Sequence, residues 1–406
     1  MLYFLKDKKD CTGCTACVNI CPVKCITMKE DEEGFSYPFA DDRCIGCRQC
    51  EYVCPIYSEK TFLEPGIPQI AAAAVSEDKE IWKESASGGA FSEICRAFGD
   101  SETIVFGAAF DGLRVVHKYI VGVENIAPFR KSKYVQSDPD DSLGVARDFL
   151  EQGRKVIFSG LPCQIAGLRS LLGKDYENLL CIDLICHGVG SPKVFADSIK
   201  FTQERLGSQV RSYSFRVKRS KMGNLKLYVS RYKLEDGRIL FIEKDDYNKL
   251  FLDQLCLRRS CAENCRFRNA GRFGDLTLGD FKNRERVFPR LMDYRNYSTV
   301  VVNTKKGERV FHIVSKSMKV LQCSIEQVKR YNPLFYRQTE TNNLRDNFFR
   351  DYLSGNTLDQ LVLRYTNKKS RGMRFLKDLI PYRTKFLLKR LFSKLRELHK
   401  KSEVGV

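Results

Sequence analysis

No run in this 406-residue chain approaches eighteen consecutive apolar residues, which excludes a membrane-spanning helix on hydropathy. Residues 1–9 lack the long apolar stretch of a secretory signal, so none is expected. Only four histidines are present, too few to favour a histidine-based hydrolase. There is no G-x-G-x-x-G run of the nicotinamide-binding type and no Walker A phosphate loop. The net charge is +19, yet no helix-turn-helix, finger or RNP-type motif accompanies it, so nucleic acid is not an expected partner. A basic body still favours anionic ligands, dinucleotides among them.

Cysteine, by contrast, is plentiful. There are 17, an odd number in a long chain, which is unlike a short secreted disulfide scaffold and points to a reducing cytoplasm. Eight of them form two copies of C-x2-C-x2-C-x3-C-P: Cys11, Cys14, Cys17 and Cys21 before Pro22, then Cys44, Cys47, Cys50 and Cys54 before Pro55. This is the ligand run of a ferredoxin with two [4Fe–4S] clusters, in which three close thiolates cap one cubane and the fourth crosses to the other. Cys11, Cys14, Cys17 and Cys54 are therefore expected to hold one cluster, and Cys44, Cys47, Cys50 and Cys21 the other. Zinc sites usually pair two C-x2-C knuckles and fit this run less well.

The length allows two or three domains with a real core. Residues 1–61 read as an α+β two-cluster ferredoxin-like module. A Pro- and Gly-containing linker at 62–68 follows. Residues 69–355 alternate short strands and helices, which predicts an α/β domain with a mixed sheet. Buried strands are expected at 156–159 and 179–185, with helices at 142–152, 164–172 and 192–205. Asp111-Gly112 marks a hairpin between strands 103–110 and 113–120. Residues 356–406 are read as a basic helical tail. Fourteen Lys or Arg face three acids from Arg364 to Val406. Leu388, Leu391, Phe392, Leu395 and Leu398 fall on one helical face, with Lys389, Arg390, Lys394 and Lys401 on the other. Such a helix lies on an anionic membrane surface, docks on a partner, or simply packs on the body.

More cysteines occupy turns where chemistry is done. Cys163 and Cys186 follow two predicted parallel strands, at the end of the sheet where ligands bind. Cys256, Cys261 and Cys265 share a loop. Cys163, Cys186, Cys261 and Cys265 are the candidates for a third metal site, with Cys256 as a substitute, and either a cubane or zinc would suit them. Cys95, Cys181 and Cys323 sit inside apolar runs and read as core residues. Two segments suit phosphate. Ser87, Gly88 and Gly89 precede a helix, leaving backbone N–H groups bare. Lys131, Ser132, Lys133, Tyr134 and Ser137 offer ammonium groups, hydroxyls and a ring. His187, beside Cys186, is the histidine with a functional address.

The order of these motifs resembles the coenzyme F-420 hydrogenase/dehydrogenase beta-subunit family, in the version with a fused two-cluster ferredoxin. The matching pieces are Ser87-Gly-Gly89, Lys133-Tyr-Val-Gln-Ser137, Gly160-Leu-Pro-Cys163, Cys186-His-Gly188, the Cys261–Cys265 loop and Gly274-Asp-Leu-Thr-Leu-Gly-Asp280. They span residues 1 to about 285, and 290–406 match weakly. The Cys261–Cys265 spacing is C-x3-C, where the family loop often has C-x2-C. Cys-His-Gly and the Leu257-Arg-Arg-Ser260 run resemble a bacterial polysaccharide-biosynthesis branch. The resemblance implies an α/β flavin-binding domain, FAD against the Ser87–Gly89 helix start and the Lys131–Ser137 loop, and a third [4Fe–4S] cluster on Cys163, Cys186, Cys261 and Cys265. It also implies electron transfer between a hydride carrier such as coenzyme F-420 and one-electron carriers. The expected partners are a redox protein or hydride-carrying cofactor, with peripheral membrane contact through the tail. The alternative is a non-catalytic electron-carrier subunit or a cluster-stabilised binding protein at the membrane.

Overall fold

The computed structural model describes residues 1–57, 70–221, 224–263, 265–268, 271–291, 293–336, 342–366 and 384. The predicted linker at 62–68 and the apolar stripe Leu388–Leu398 lie outside the described residues.

The N-terminal module repeats itself in backbone as well as in sequence. Gly13 and Gly46 both take left-handed φ values, 72° and 67°, and so do Thr15 and Arg48, at 64° and 58°. Each left-handed turn feeds a short helix, Ala16–Ile20 and Gln49–Tyr52. These turns fold each cysteine run into a compact loop, buried at Cys11 and Cys14 and exposed at Cys44 and Cys47. A hairpin of Ile26–Glu30 with Ser36–Ala40 separates the two halves.

The body is built on an eight-stranded mixed sheet. Its order is Met318–Cys323, Ile70–Ser76, Ser298–Val302, Leu276–Asp280, Leu179–Leu184, Val156–Gly160, Ile104–Asp111, Arg114–Val121. The four strands from Leu276–Asp280 to Ile104–Asp111 run parallel, and the flanking pairs are antiparallel. The physical cause is in the residues. Val156, Ile157 and Phe158 are buried, as are Leu179 to Ile182, so both faces of these strands are covered. Helices Ser142–Glu151 and Pro162–Leu172 make the crossovers. The Asp111-Gly112 hairpin forms as expected. The strand Met318–Cys323 is not expected from the sequence pattern. It adds to Ile70–Ser76, whose alanines are buried between two neighbours. A smaller three-stranded sheet of Val210–Ser214, Val229–Leu234 and Ile239–Glu243 stands beside the body.

The module is not a separate bead. Phe35 and Tyr37 share one apolar core with Val194, Phe195 and Leu257. Glu33 and Arg345 form an ion pair with both side chains buried. Ser191 Oγ donates to the Glu33 carbonyl over 2.6 Å. The helix Leu358–Tyr365 falls in the stretch that the sequence assigns to the tail, yet its Leu358, Leu361 and Val362 are buried in that same core. Among the described residues no helix is long and apolar enough to cross a membrane.

Candidate functional site

The parallel strands place their C-terminal ends, Gly160, Leu184 and Asp280, at one rim of the sheet. A cavity of about 320 Å³ opens there, within the usual range for cofactor pockets. Ser87, Gly89, Lys131, Ser132, Lys133, Tyr134 and Ser137 all line it, so the two segments singled out from sequence do meet. Gly88 does not line it. Its N–H donates to Ser298 Oγ over 2.9 Å, and a Cβ there would lie 2.2 Å from the Ala74 carbonyl oxygen. Gly88 thus serves close packing against the sheet. The Ser87 hydroxyl likewise donates to the Tyr297 carbonyl. Gly89, Ala90 and Phe91, at the start of the helix Ala90–Phe98, remain at the cavity wall.

Cations crowd this wall. Lys131 pairs with Glu84 at 2.7 Å. Arg216 pairs with Asp280 at 2.6 Å. Lys133 donates to the Pro128 and Arg130 carbonyls, and burial pulls its pKa down to about 7. Lys218 lies outside the lining but donates to the carbonyls of Ser87 and Trp82, and burial lowers it to about 7 as well. Tyr134 stacks on Phe251 with ring centroids 4.7 Å apart. Sequence reasoning missed Arg216 and Lys218 and met Asp280 only inside a longer motif, because the loop after Val210–Ser214 that holds the two cations and the strand end that holds Asp280 are far apart in the chain. It also missed His117. This side chain is buried, stacks on Phe158 and lines the cavity. Neither ring nitrogen makes a hydrogen bond of normal geometry among the described residues, and burial, opposed by the nearby Ser159 backbone, lowers its pKa to about 4. The signal was available: in the strand Arg114–Val121 the alternation puts Val115 and His117 inward. His187 also lines the cavity, its Nε2 3.3 Å from the Phe251 carbonyl oxygen.

A second, smaller cavity adjoins the first. Cys163, Cys186, Cys261 and Cys265 all face it, although they come from four positions across a hundred residues of chain. Cys163 lies in the first turn of the helix Pro162–Leu172, and Cys186 just past the strand Leu179–Leu184. Burial and then the Cys261 thiol push Cys163 far up and Cys186 up to about 12. Thiols held this close stay protonated unless a cation offsets their charge, which is the donor chemistry of a metal site. Cys256 does not face this cavity; it lies fully buried in the apolar core. Cys95 and Cys181 are core residues too. Among the described residues no three His, Cys, Asp or Glu side chains come close enough to hold a single metal ion. Four thiolates on one zinc would lie about 3.8 Å apart from Zn–S bonds of about 2.3 Å. A cubane binds each thiolate through a different iron and holds them further apart.

A third cavity completes the row. Cys11, Cys14, Cys17 and Cys54 line it together, which brings the crossing cysteine to the triplet named for it. Cys21 approaches the second triplet, through Cys25, which is 3.4 Å from Cys21 and acts on Cys44. Sequence reasoning passed over Cys25. It sits four residues past Cys21, behind the Pro22 turn, and is buried. The three cavities are neighbours with common walls. The first and second share Leu161, Gln164, Cys186, Gly188 and Val189, and the second and third share Thr12 and Gly13.

Two segments of the chain match known protein families. Residues 10–57 match the model of the 4Fe-4S dicluster domain. Residues 153–327 match the model of the C terminus of the coenzyme F420 hydrogenase/dehydrogenase beta subunit. A chain of the F420-reducing [NiFe] hydrogenase complex from Methanosarcina barkeri is similar at 19% identity, over 68% of this chain and 90% of that one, with a TM-score of 0.42. No curated protein matches the chain. The protein is thus an iron–sulfur protein of oxidoreductase type. Its residues 153–327 carry the C-terminal domain of the coenzyme F420 hydrogenase/dehydrogenase beta subunit, and its residues 10–57 a 4Fe-4S dicluster domain, which supports a beta-subunit-like protein with an N-terminal ferredoxin.

Proposed function

We propose that the chain is a flavin-dependent iron–sulfur oxidoreductase that exchanges electrons between a two-electron carrier and one-electron carriers. The observation that carries this reading is the row of cavities, from the cationic crevice through the four body cysteines to the ferredoxin thiols. When bound, FAD would supply conversion between paired and single electrons, and [4Fe–4S] clusters the single-electron relay. The chain's own residues have distinct tasks. The backbone at Gly89, Ala90 and Phe91 and the Lys131 ammonium offer positive ends to a pyrophosphate. The Tyr134–Phe251 stack and the apolar wall exclude water from a ring. Cys163, Cys186, Cys261 and Cys265 would hold the third cluster. His117 and Asn332 turn unpaired buried polar atoms toward the same space, as a wall built for a polar ligand does.

The family description names coenzyme F420, so a reduced deazaflavin is the first carrier to test. A two-electron carrier would be oxidised at the crevice and two one-electron carriers reduced at the far end, where Cys44 and Cys47 are exposed. The redox partner would dock there. The bacterial branch that the sequence resembles sets polysaccharide biosynthesis as the proposed role. The basic segment beyond 366 is proposed to touch anionic membranes from the cytoplasmic side, each basic residue near the surface adding about 1 kcal/mol. Truncation after Tyr382 should then abolish liposome co-sedimentation and leave cofactor content unchanged.

The test is the composition of protein purified without oxygen. The expected result is about twelve irons for three cubanes, plus stoichiometric flavin. Clusters without flavin would favour an electron-carrier subunit instead. Zinc in place of the third cluster's iron would reduce the body site to a structural role.

A further inference from the structure

Arg258 is the largest side chain in the protein among those with no exposure, and it sits where the module meets the body. Its Nε donates to the Cys11 carbonyl over 2.8 Å, one Nη to Gln136 Oε1 over 3.0 Å, and the other to the Ser36 carbonyl over 3.0 Å. That second Nη also lies 3.6 Å from Cys11 Sγ. None of these partners is a carboxylate, and no carboxylate pairs with Arg258 among the described residues. The guanidinium stacks over Tyr37 at 4.2 Å and faces Phe35 at 5.6 Å, which offsets part of its charge. Its own backbone carbonyl accepts the Cys261 N–H over 2.9 Å, so one residue touches both cysteine sets.

A fully buried cation is costly unless a negative charge answers it. Three other buried arginines have one: Arg272 pairs with Asp183, Arg169 with Asp275, and Arg345 with Glu33. Arg258 instead has the Cys11 thiol within reach of its guanidinium and the Cys261 N–H on its own carbonyl. We propose that Arg258 is the counter-cation of the junction between the Cys11 site and the Cys261 site, and that it raises the reduction potential there by stabilising each added electron. Arg258 is a positioning residue: it acts through the Cys11 sulfur and the field it sets across the junction. The inference rests on the reading of both cysteine sets as cluster ligands. The matching position in the other half of the module has nothing like it. Arg43 is tied to Asp41 at 2.6 Å and Arg48 to Glu51 at 3.1 Å, both on the surface.

The experiment uses the full chain, purified without oxygen, with iron counts and EPR-monitored redox titration. Four proteins are compared: wild type, Arg258→Met, Arg258→Lys and Gln136→Glu. Arg258→Met should lower the affected midpoint by about tenfold or more in the one-electron equilibrium, about 59 mV per decade. Arg258→Lys keeps the charge and should stay within about threefold of wild type on the same scale. Gln136→Glu keeps Arg258 but sets a carboxylate at the atom now 3.0 Å from its Nη, and should lower the same midpoint. Equal shifts in the Lys and Met variants overturn the proposal, and so do unchanged midpoints in Gln136→Glu. If Arg258→Met loses iron, the Gln136→Glu titration decides alone. Wild type lacking iron at the body site would defeat the cluster reading there, while the shift at the Cys11 site still decides the role of Arg258.

Discussion

The two halves of the ferredoxin module share a cysteine pattern and a backbone, but not an environment. A Cβ placed on Gly13 would lie 2.7 Å from Gln136 Nε2 and 3.1 Å from an Arg258 Nη. A Cβ on Gly46 would meet nothing within 4 Å. Cys11 and Cys14 are buried against the body, whereas Cys44 and Cys47 are exposed. One copy is therefore covered and the other open. Duplication supplied two equivalent electron sites, and burial made them unequal. Thr12 and Gly13 of the covered half line the cavity of the body's four cysteines, and the open half leaves Cys44 and Cys47 exposed. Under the proposed function this gives the relay an inner and an outer end.

The sharpest way to break the comparison is to remove what the covered half faces. Cys163→Ala or Cys186→Ala should lose about four irons and leave about eight in the module. Iron counting on anaerobic protein checks this. Loss of all twelve would mean that the covered half cannot assemble without its neighbour. Full retention would remove these cysteines from the ligand set.

The crossing ligands should respond unequally. Cys54→Ser should abolish the EPR signal of the cluster on Cys11, Cys14 and Cys17, since Cys54 lines that cavity with them. Cys21→Ser should be milder for the open half. Cys25 Sγ stands 3.4 Å from Cys21 Sγ, so a thiol remains within reach of the vacated position. Cys21→Ser combined with Cys25→Ser should match the Cys54→Ser loss. Equal severity in the two single variants would show that Cys25 cannot stand in.

How much of this was legible in the sequence differs between the cysteine sets. The eight module cysteines were readable because their ligand geometry is local: the loop that binds is the loop that is spelled out. Cys163, Cys186, Cys261 and Cys265 were readable only as residues at strand ends and in a loop. Their meeting depends on the parallel register of Val156–Gly160 with Leu179–Leu184 and on the chain returning at 261–265. Cys256 shows the limit. The sequence kept it as a substitute ligand beside Cys261 and Cys265, yet it faces the apolar core. Gly88 shows another limit: a Ser-Gly-Gly before a helix reads as a phosphate loop, but its middle glycine answers to the Ala74 carbonyl. Arg258 carries no sequence signal of its role. Its neighbours Cys11, Ser36 and Gln136 all lie more than a hundred residues away.

Acid should distinguish the two sides as well. No histidine lies in residues 1–57, whereas the body holds His117 buried at the wall of the large cavity. Burial lowers its pKa from 6.5 to about 4. The unfolded chain therefore binds this proton more readily than the folded one. The stability that the neutral ring allows is complete above pH 6.5 and is lost as pH falls from there toward about 4. At 1.36 kcal/mol per pKa unit the loss is about 3 kcal/mol. His117→Phe should flatten the acid limb of the denaturation midpoint between those limits. An unchanged acid limb would mean that His117 gains a partner which the buried ring here lacks.

The finest test compares the two glycines themselves. Both adopt left-handed φ, so alanine at either position costs about 1 kcal/mol in backbone strain. That term is common to both and cancels in the comparison. What remains is packing. At residue 46 the added methyl enters open space; at residue 13 it meets the Gln136 amide and the Arg258 guanidinium. Overpacking there adds about 2 kcal/mol. Gly13→Ala should therefore lower the denaturant midpoint clearly more than Gly46→Ala. It should also displace Arg258 from Cys11 and lower the midpoint potential on that side, which Gly46→Ala should leave in place. Similar losses at the two glycines would mean that the covered half yields as easily as the open one, and that the body does not grip it at Gly13.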